Sequence, residues 1–221
     1  MKWIKMTLVA TVSVSLLATA QAAEMVELKI DLPKPRFEGT PVPVKLPHLK
    51  KPLGHPRPLI KVPAGTKNVA LEAKVTSSDM EPVIGEIDLI NDGDKEATDG
   101  SYVELGPFVQ WIQFDLGAPK NIHAVVMWHY HMQARVYHDV IIQVSDDKDF
   151  VKGVTTVFNN DHDNSAGLGA GKDLAFVEVN EGELVEFKDA KGQFLRMYSN
   201  GNTANEMNHY TEVAIYGTDA K

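Results

Sequence analysis

The chain has 221 residues, 43% hydrophobic and 24% charged, with 22 lysines and arginines against 30 acids, a formal net charge of −8 and no cysteine. That size holds one ordinary hydrophobic core. The missing thiols exclude disulfides, iron–sulfur clusters, thiolate zinc sites and cysteine nucleophiles, and the acidic balance argues against a nucleic-acid partner.

Residues 1–22 read as a signal peptide. Lys2 and Lys5 precede an apolar run from Met6 to Ala20, and Ala20-Gln21-Ala22 places small residues where a signal peptidase cuts. The run is short for a membrane span, and no cysteine follows it to carry a lipid. The mature chain is therefore expected to be periplasmic or secreted, with no membrane span; an uncleaved anchor is the other reading.

Residues 23–65 form a proline-rich basic arm. Nine of the 12 prolines lie between Pro33 and Pro63, which forbids a lasting helix or a central strand and predicts an extended, largely polyproline II course. From Glu24 to Lys67 nine basic residues face four acids, for +5; from Asn68 onward 11 face 26, for −15. Such an arm reads either as a solvated spacer or as a docking peptide.

Residues 66–221 carry the pattern of strands. Trp111-Ile112-Gln113-Phe114, Ala124-Val125-Val126-Met127-Trp128, Val140-Ile141-Ile142-Gln143-Val144 and Val213-Ala214-Ile215-Tyr216 are rich in β-branched and aromatic residues and are separated by Gly, Asn and Asp clusters. No long stretch keeps helical periodicity. The domain is expected to be all-β, an antiparallel sandwich or barrel, with Trp111 and Trp128 in its core and Tyr130 and Tyr137 better placed as exposed ring platforms.

Five pieces in order carry a resemblance: Asn68-Val69-Ala70-Leu71; Leu89-Ile90-Asn91-Asp92-Gly93-Asp94 followed by Thr98; Trp111 to Gly117; Phe194-Leu195-Arg196; and Glu212 to Gly217. Over roughly residues 66 to 218 the chain resembles discoidin domains, the coagulation-factor 5/8 type C domains of the galactose-binding-like class. The resemblance implies an eight-stranded jelly-roll β-sandwich that binds glycans, lipid head groups or proteins through loops at one end, usually without catalysis.

Asp92, Asp94 and the Thr98 hydroxyl share one glycine-containing loop, and clustered hard oxygens suit Ca²⁺. The spacing is not that of an EF-hand. In similar domains a structural calcium joins this loop to a carboxylate near the last strand, and Glu212 holds the matching position here. The other reading of Asp92-Gly93-Asp94 is a turn with solvated carboxylates.

A second constellation surrounds Trp128: His129, Tyr130 and His131, then Arg135, Tyr137, His138 and Asp139. Residues two apart on a strand share a face, so His129 and His131 are placed to offer both imidazoles to one ligand. Asn159 to Asn164, Gly167 to Gly171, Ser199 to Asn202, Asn205 and Asn208-His209-Tyr210 add polar loops. Sugar recognition needs this mixture of rings, carboxamides and forked donors. In carbohydrate-binding members of the family a His, an Arg, an Asn and an aromatic ring share the work, which by resemblance points to His129 or His131, Arg135 or Arg196, and Asn200. With His138, His162 or His209 the same imidazoles also suit a transition metal; plain hydrogen-bonded scaffolding is the third reading.

No Gly-x-Ser-x-Gly elbow, His-Glu-x-x-His helix or Walker loop occurs. The sequence thus describes an exported, non-enzymatic binding module. Its expected ligand-binding set is His129, Tyr130, His131, Arg135, Tyr137, Arg196, Asn200 and His209. Its expected calcium set is Asp92, Asp94, Thr98 and Glu212. The expected partner is a glycan or cell-envelope polysaccharide; the rival readings are an assembly factor for another exported protein and a histidine-cluster metal protein.

Overall fold

The computed structural model describes residues 24–37 and 43–220, so the expected signal peptide lies outside the described residues. The elements in chain order are β1 (Met25–Glu27), β2 (Lys61–Pro63), β3 (Lys67–Asn68), β4 (Lys74–Ser77), a 3-10 helix (Ile87–Asn91), β5 (Val103–Leu105), β6 (Gln110–Trp128), β7 (Ile141–Ser145), β8 (Thr155–Asn159), β9 (Glu183–Ser199), β10 (Asn208–Tyr210) and β11 (Glu212–Asp219). All the strand pairings are antiparallel.

Two long strands make the sandwich. The first half of β6 pairs with β4 and with the second half of β9, which continues through β7 to β8; its second half pairs with β11 and with the first half of β9. The change of layer falls where the register breaks between Asp115 and Lys120. Gly117 takes φ 76 there, a left-handed turn that the Asp115 carboxylate holds by accepting the Gly117 N–H at 2.9 Å. Between the layers lie Ile112, Phe114, Val125, Met127, Ile142, Leu195, Met197, Val213 and Ile215.

The halves of β6 bury different faces, and their sequences show why. From Trp111 to Leu116 buried residues alternate with half-exposed ones, as in a strand with one wet face. From Ala124 to Trp128 every residue is buried, as the unbroken apolar run requires. The arm covers the second face. Leu28 and Val62, from the strand pair β1–β2 and its flank, pack on Ala124, Val126, Trp128, Ala214 and Tyr216, and each such burial contributes about 1.5–3 kcal/mol. Further along, the Lys50 N–H donates to Ala175 O at 2.7 Å, the Ala175 N–H to His48 O at 3.0 Å, and the His48 ring stacks on His162.

The arm is extended, as its prolines demand, yet it forms a third layer on its own domain where a solvated spacer was one expectation. Trp128 is fully buried beneath it and donates its indole N–H to Asn180 O at 2.9 Å. Trp111, expected in the core, lies half-exposed on the outer face of the first layer, because alternation gives the inward positions to Ile112 and Phe114.

Candidate functional site

At one end of the sandwich the turn before β6 faces the loop after β9 across an open cavity of about 420 Å³, lined by Phe108, His138 and residues 200–206. Phe108 is 78% exposed and takes φ 68, left-handed backbone that is strained for a bulky side chain. Buried Asn208 holds both walls. Its Nδ2 donates to Gly106 O at 2.8 Å and to Phe108 O at 2.9 Å, while its Oδ1 accepts the Gly201 N–H at 2.8 Å and the Ser199 hydroxyl at 2.8 Å. The turn that carries the exposed ring is thus held by its backbone carbonyls.

The opposite wall is carboxamide and acid. Asn200 Nδ2 donates to Asp139 Oδ2 at 2.8 Å, and Asn202 Nδ2 donates to Asn205 Oδ1 at 2.8 Å and to Met207 O at 2.8 Å. These bonds fix the loop and leave Asn200 Oδ1, Asn205 Nδ2 and the Glu206 carboxylate without a side-chain partner among the described residues. An apolar ring opposite two-headed amides suits a polyhydroxylated ring with an apolar C–H face.

Of the expected ligand-binding residues, Asn200 alone lines this cavity. His129, Tyr130, Arg135, Tyr137 and His209 do come together, but mostly inside the domain. His129 is fully buried, stacks on Tyr137 at 4.3 Å and shares a 2.5 Å hydrogen bond between Nδ1 and Oε1 of equally buried Glu178. Arg135 lies over the Tyr130 ring at 4.5 Å. Burial and the nearby Glu178 carboxylate push the Tyr137 phenol well above its ordinary range, with Arg135 opposing the shift.

His209 Nε2 meets Glu104 Oε2 at 2.8 Å. Burial, with Arg135 and His129 adding to it, lowers the imidazole to about 4, so at neutral pH this contact is a neutral N–H donated to a carboxylate and not an ion pair. Burial also raises Glu104. The Nε2 of His129, Nε and Nη1 of Arg135, the Tyr137 hydroxyl, Oε2 of Glu178 and Nδ1 of His209 are buried without protein partners.

Two expected residues stand apart from this cluster. His131 is fully buried, and its Nε2 bonds to Lys95 O at 2.8 Å, so the two imidazoles of His129 and His131 turn to different partners instead of converging on one ligand. Trp128 ends β6, so the two-residue alternation does not extend to them. Arg196 belongs to the outer face of the first layer, between Trp111 at 4.4 Å and Phe150 at 4.2 Å, with Nε donating to Gln113 at 2.7 Å.

The expected calcium residues form one polar corner. Glu212 is fully buried; its Oε2 accepts the Gly93 N–H at 3.1 Å and its Oε1 has no partner. Burial pushes this carboxyl up to about 8, and Asp92 and Asp94 add to the rise while the Gly93 N–H and Lys95 oppose it. Asp94 accepts the Ser101 hydroxyl at 2.7 Å, and Ser101 lies 3.3 Å from the Thr98 hydroxyl. An orphaned buried carboxylate oxygen beside two further carboxylates fits a hard cation in its donor chemistry.

Among the described residues, the three acidic ligand atoms that lie within 4.8 Å of one another belong to a different group, Asp139, Asp161 and Asp163. That group is taken up by its own loop: Asp161 accepts the N–H groups of Ser165 and Ala166, and Asp139 accepts the Ser165 hydroxyl and the Asn200 amide. Sequence reasoning missed Phe108, Glu178 and Glu104, and singled out Asn208 only as part of a polar stretch. The one local signal for Phe108 was Gly106-Pro107-Phe108, which puts an aromatic residue in a turn where nothing buries it.

Residues 89–197 match the family model described as a NedA-like, galactose-binding domain of the F5/F8 type C class. No curated protein matches the sequence. Among solved structures, a family 89 glycoside hydrolase from Clostridium perfringens, in complex with GlcNAc-α-1,4-galactose, superposes with a TM-score of 0.52 at 17% identity, over 69% of this chain and 15% of that enzyme. A truncated AlyQ with CBM32 and alginate lyase domains is similar at 22% identity and a TM-score of 0.49, and the match spans 66% of this chain but only 32% of that one. A chitosan-binding module from a Paenibacillus sp. IK-5 chitosanase/glucanase is 21% identical with a TM-score of 0.49, over 69% of this chain and 99% of the module. No helix among the described residues is long and apolar enough to cross a membrane. With the antiparallel sandwich built on β6 and β9, the match identifies residues 89–197 as a galactose-binding-like domain of the F5/8 type C class.

Proposed function

We propose that this chain is an exported, non-catalytic module that binds glycan in the cavity between Phe108 and residues 200–206. One observation carries the reading: a phenyl ring is held 78% exposed on strained backbone, opposite a wall of asparagines. An arrangement that costs stability persists when the surrounding structure enforces it, and such strain concentrates at binding sites. The family's description as a galactose-binding domain supports the same chemistry. The lining carries Glu206 and neither lysine nor arginine, so neutral and amino sugars are preferred over uronic acids.

Asp92, Asp94, Thr98 and Glu212 would hold a structural Ca²⁺ that neutralises the buried Glu212 carboxylate and ties the loop to β11. Chelation is expected to lower the melting temperature, and Glu212→Gln to remove that sensitivity. At a calcium level a hundredfold above the dissociation constant the ion would contribute about 2.7 kcal/mol; a melting curve unmoved by verified removal of divalent ions contradicts it.

A glycan array with the purified full chain, calcium present, tests the main reading. Binding to a neutral or amino sugar that Phe108→Ala and Asn200→Ala both weaken, with no turnover of the bound glycan, is the expected result. Binding that survives both substitutions, or none to any glycan, refutes it.

A further inference from the structure

A second cavity exists because the arm is docked. It measures about 390 Å³ and lies between residues 50–57 of the arm and residues 176–183 of the domain. In the domain wall Glu178 is buried and does not line the cavity, Phe176 is buried yet lines it, and Val177 is half-exposed and Val179 38% exposed on the cavity side. The arm contributes Pro52 and Leu53, the latter 51% exposed. A concave, mostly apolar cavity of this size with a few charged groups at its edge has the form of a small-molecule site.

The charges at that edge do not cancel. Four cations line the cavity, Arg36, Lys50, Lys51 and Arg57, against two acids, Glu181 and Glu183. Lys50 is paired with Glu183 at 2.9 Å, Arg36 with Glu96, and Arg57 is held by Gly182 O at 2.9 Å with its backbone N–H on Glu181 at 3.3 Å. Lys51, exposed at the mouth, has no acidic partner among the described residues. His55 also lines the site, its Nδ1 placed 2.9 Å from Pro56 O. Beside a domain that carries −15, this local excess of two cations over an apolar floor is the opposite of the surrounding charge.

From this geometry we infer a second ligand site, distinct from the glycan cavity: the arm and the domain together bind an amphipathic monoanion, an aliphatic chain against Val177, Val179 and Leu53 with its carboxylate at Lys51. The apolar walls supply affinity by leaving water, and the single unpaired ammonium selects the sign of the head group.

Isothermal titration of the full chain with sodium decanoate, 1-decanol and decylammonium chloride tests this. Decanoate is expected to bind one per chain, with decylammonium at least about tenfold weaker. Lys51→Glu, at an exposed position that leaves the melting temperature in place, is expected to weaken decanoate about tenfold and to strengthen decylammonium. Val179→Trp, which fills the apolar side, abolishes binding of all three. Failure of decanoate to bind, equal binding of the three probes, or an unchanged decanoate affinity in folded Lys51→Glu overturns the inference.

Discussion

The buried histidine cluster and the open asparagine cavity are neighbours on one stretch of chain: Tyr137 is 1% exposed and stacks on His129, whereas His138, the next residue, lines the cavity. Both regions are built from imidazole, carboxamide, carboxylate and aromatic groups. In the cluster two pairs bond to each other out of water, His129 with Glu178 and His209 with Glu104, while six further polar atoms are buried without a protein partner, each at a cost of about 1–3 kcal/mol. In the cavity the amides fix the loop with part of their capacity and offer the rest outward. The difference teaches that residue type marks a polar neighbourhood, while the direction of the side chain decides whether it stabilises the fold or meets a ligand.

The largest effect should come from breaking the cluster. Glu178 and His129 are both fully buried and share a 2.5 Å hydrogen bond. Removing one partner of such a pair strands the other, at a cost of about 3–5 kcal/mol. Glu178→Ala should therefore lower the unfolding free energy in urea by about 3 kcal/mol, while glycan affinity of the folded fraction stays near wild type. A loss of glycan affinity with little loss of stability would reverse the roles assigned to the two regions.

Acid titration sharpens the same contrast. His209 is lowered to about 4 in the folded chain, below the roughly 6.5 of an unfolded histidine. Between these values the unfolded state binds more protons, so stability is fully present above about 6.5 and falls as the pH drops towards 4. The full shift bounds the loss at about 3 kcal/mol. Glu104, raised in the folded state, works in the opposite direction at the acid end of the window. The measurement is therefore the difference between wild type and His209→Gln in melting curves across this range. Parallel pH dependence in the two proteins would show that His209 is not buried neutral.

Much of the architecture could be read from the residues. The runs from Trp111 to Phe114 and from Ala124 to Trp128 could be read as strands of an antiparallel all-β domain. What the second run could not say is which segment covers its other face, because the cover, Leu28 and Val62, lies about 60 to 100 residues away in a proline-rich arm that reads as a spacer or a docking peptide. The polar neighbourhood around Tyr137 was legible for the same reason that its burial was not: Glu178 and Glu104 are lone acids in sequence, and only tertiary packing brings them to His129 and His209. Phe108 was hidden by its type, since a phenylalanine next to a strand is ordinarily core.

The smallest effect is the most specific to function. Phe108→Ala removes a ring that is 78% exposed, so its loss from the fold should stay within about 0.5 kcal/mol. Relief of the left-handed strain is limited, because alanine at φ 68 is itself unfavourable. Binding of the preferred glycan should nonetheless fall about tenfold, the scale of one ring contact of about 1.4 kcal/mol. Phe108→Trp should retain it, since a larger ring offers the same face on the same turn. The discriminating pair is therefore a titration and a melting curve on each variant. If Phe108→Ala lowers the melting temperature as much as Glu178→Ala does, the ring is packing after all and the cavity loses its claim to be the site.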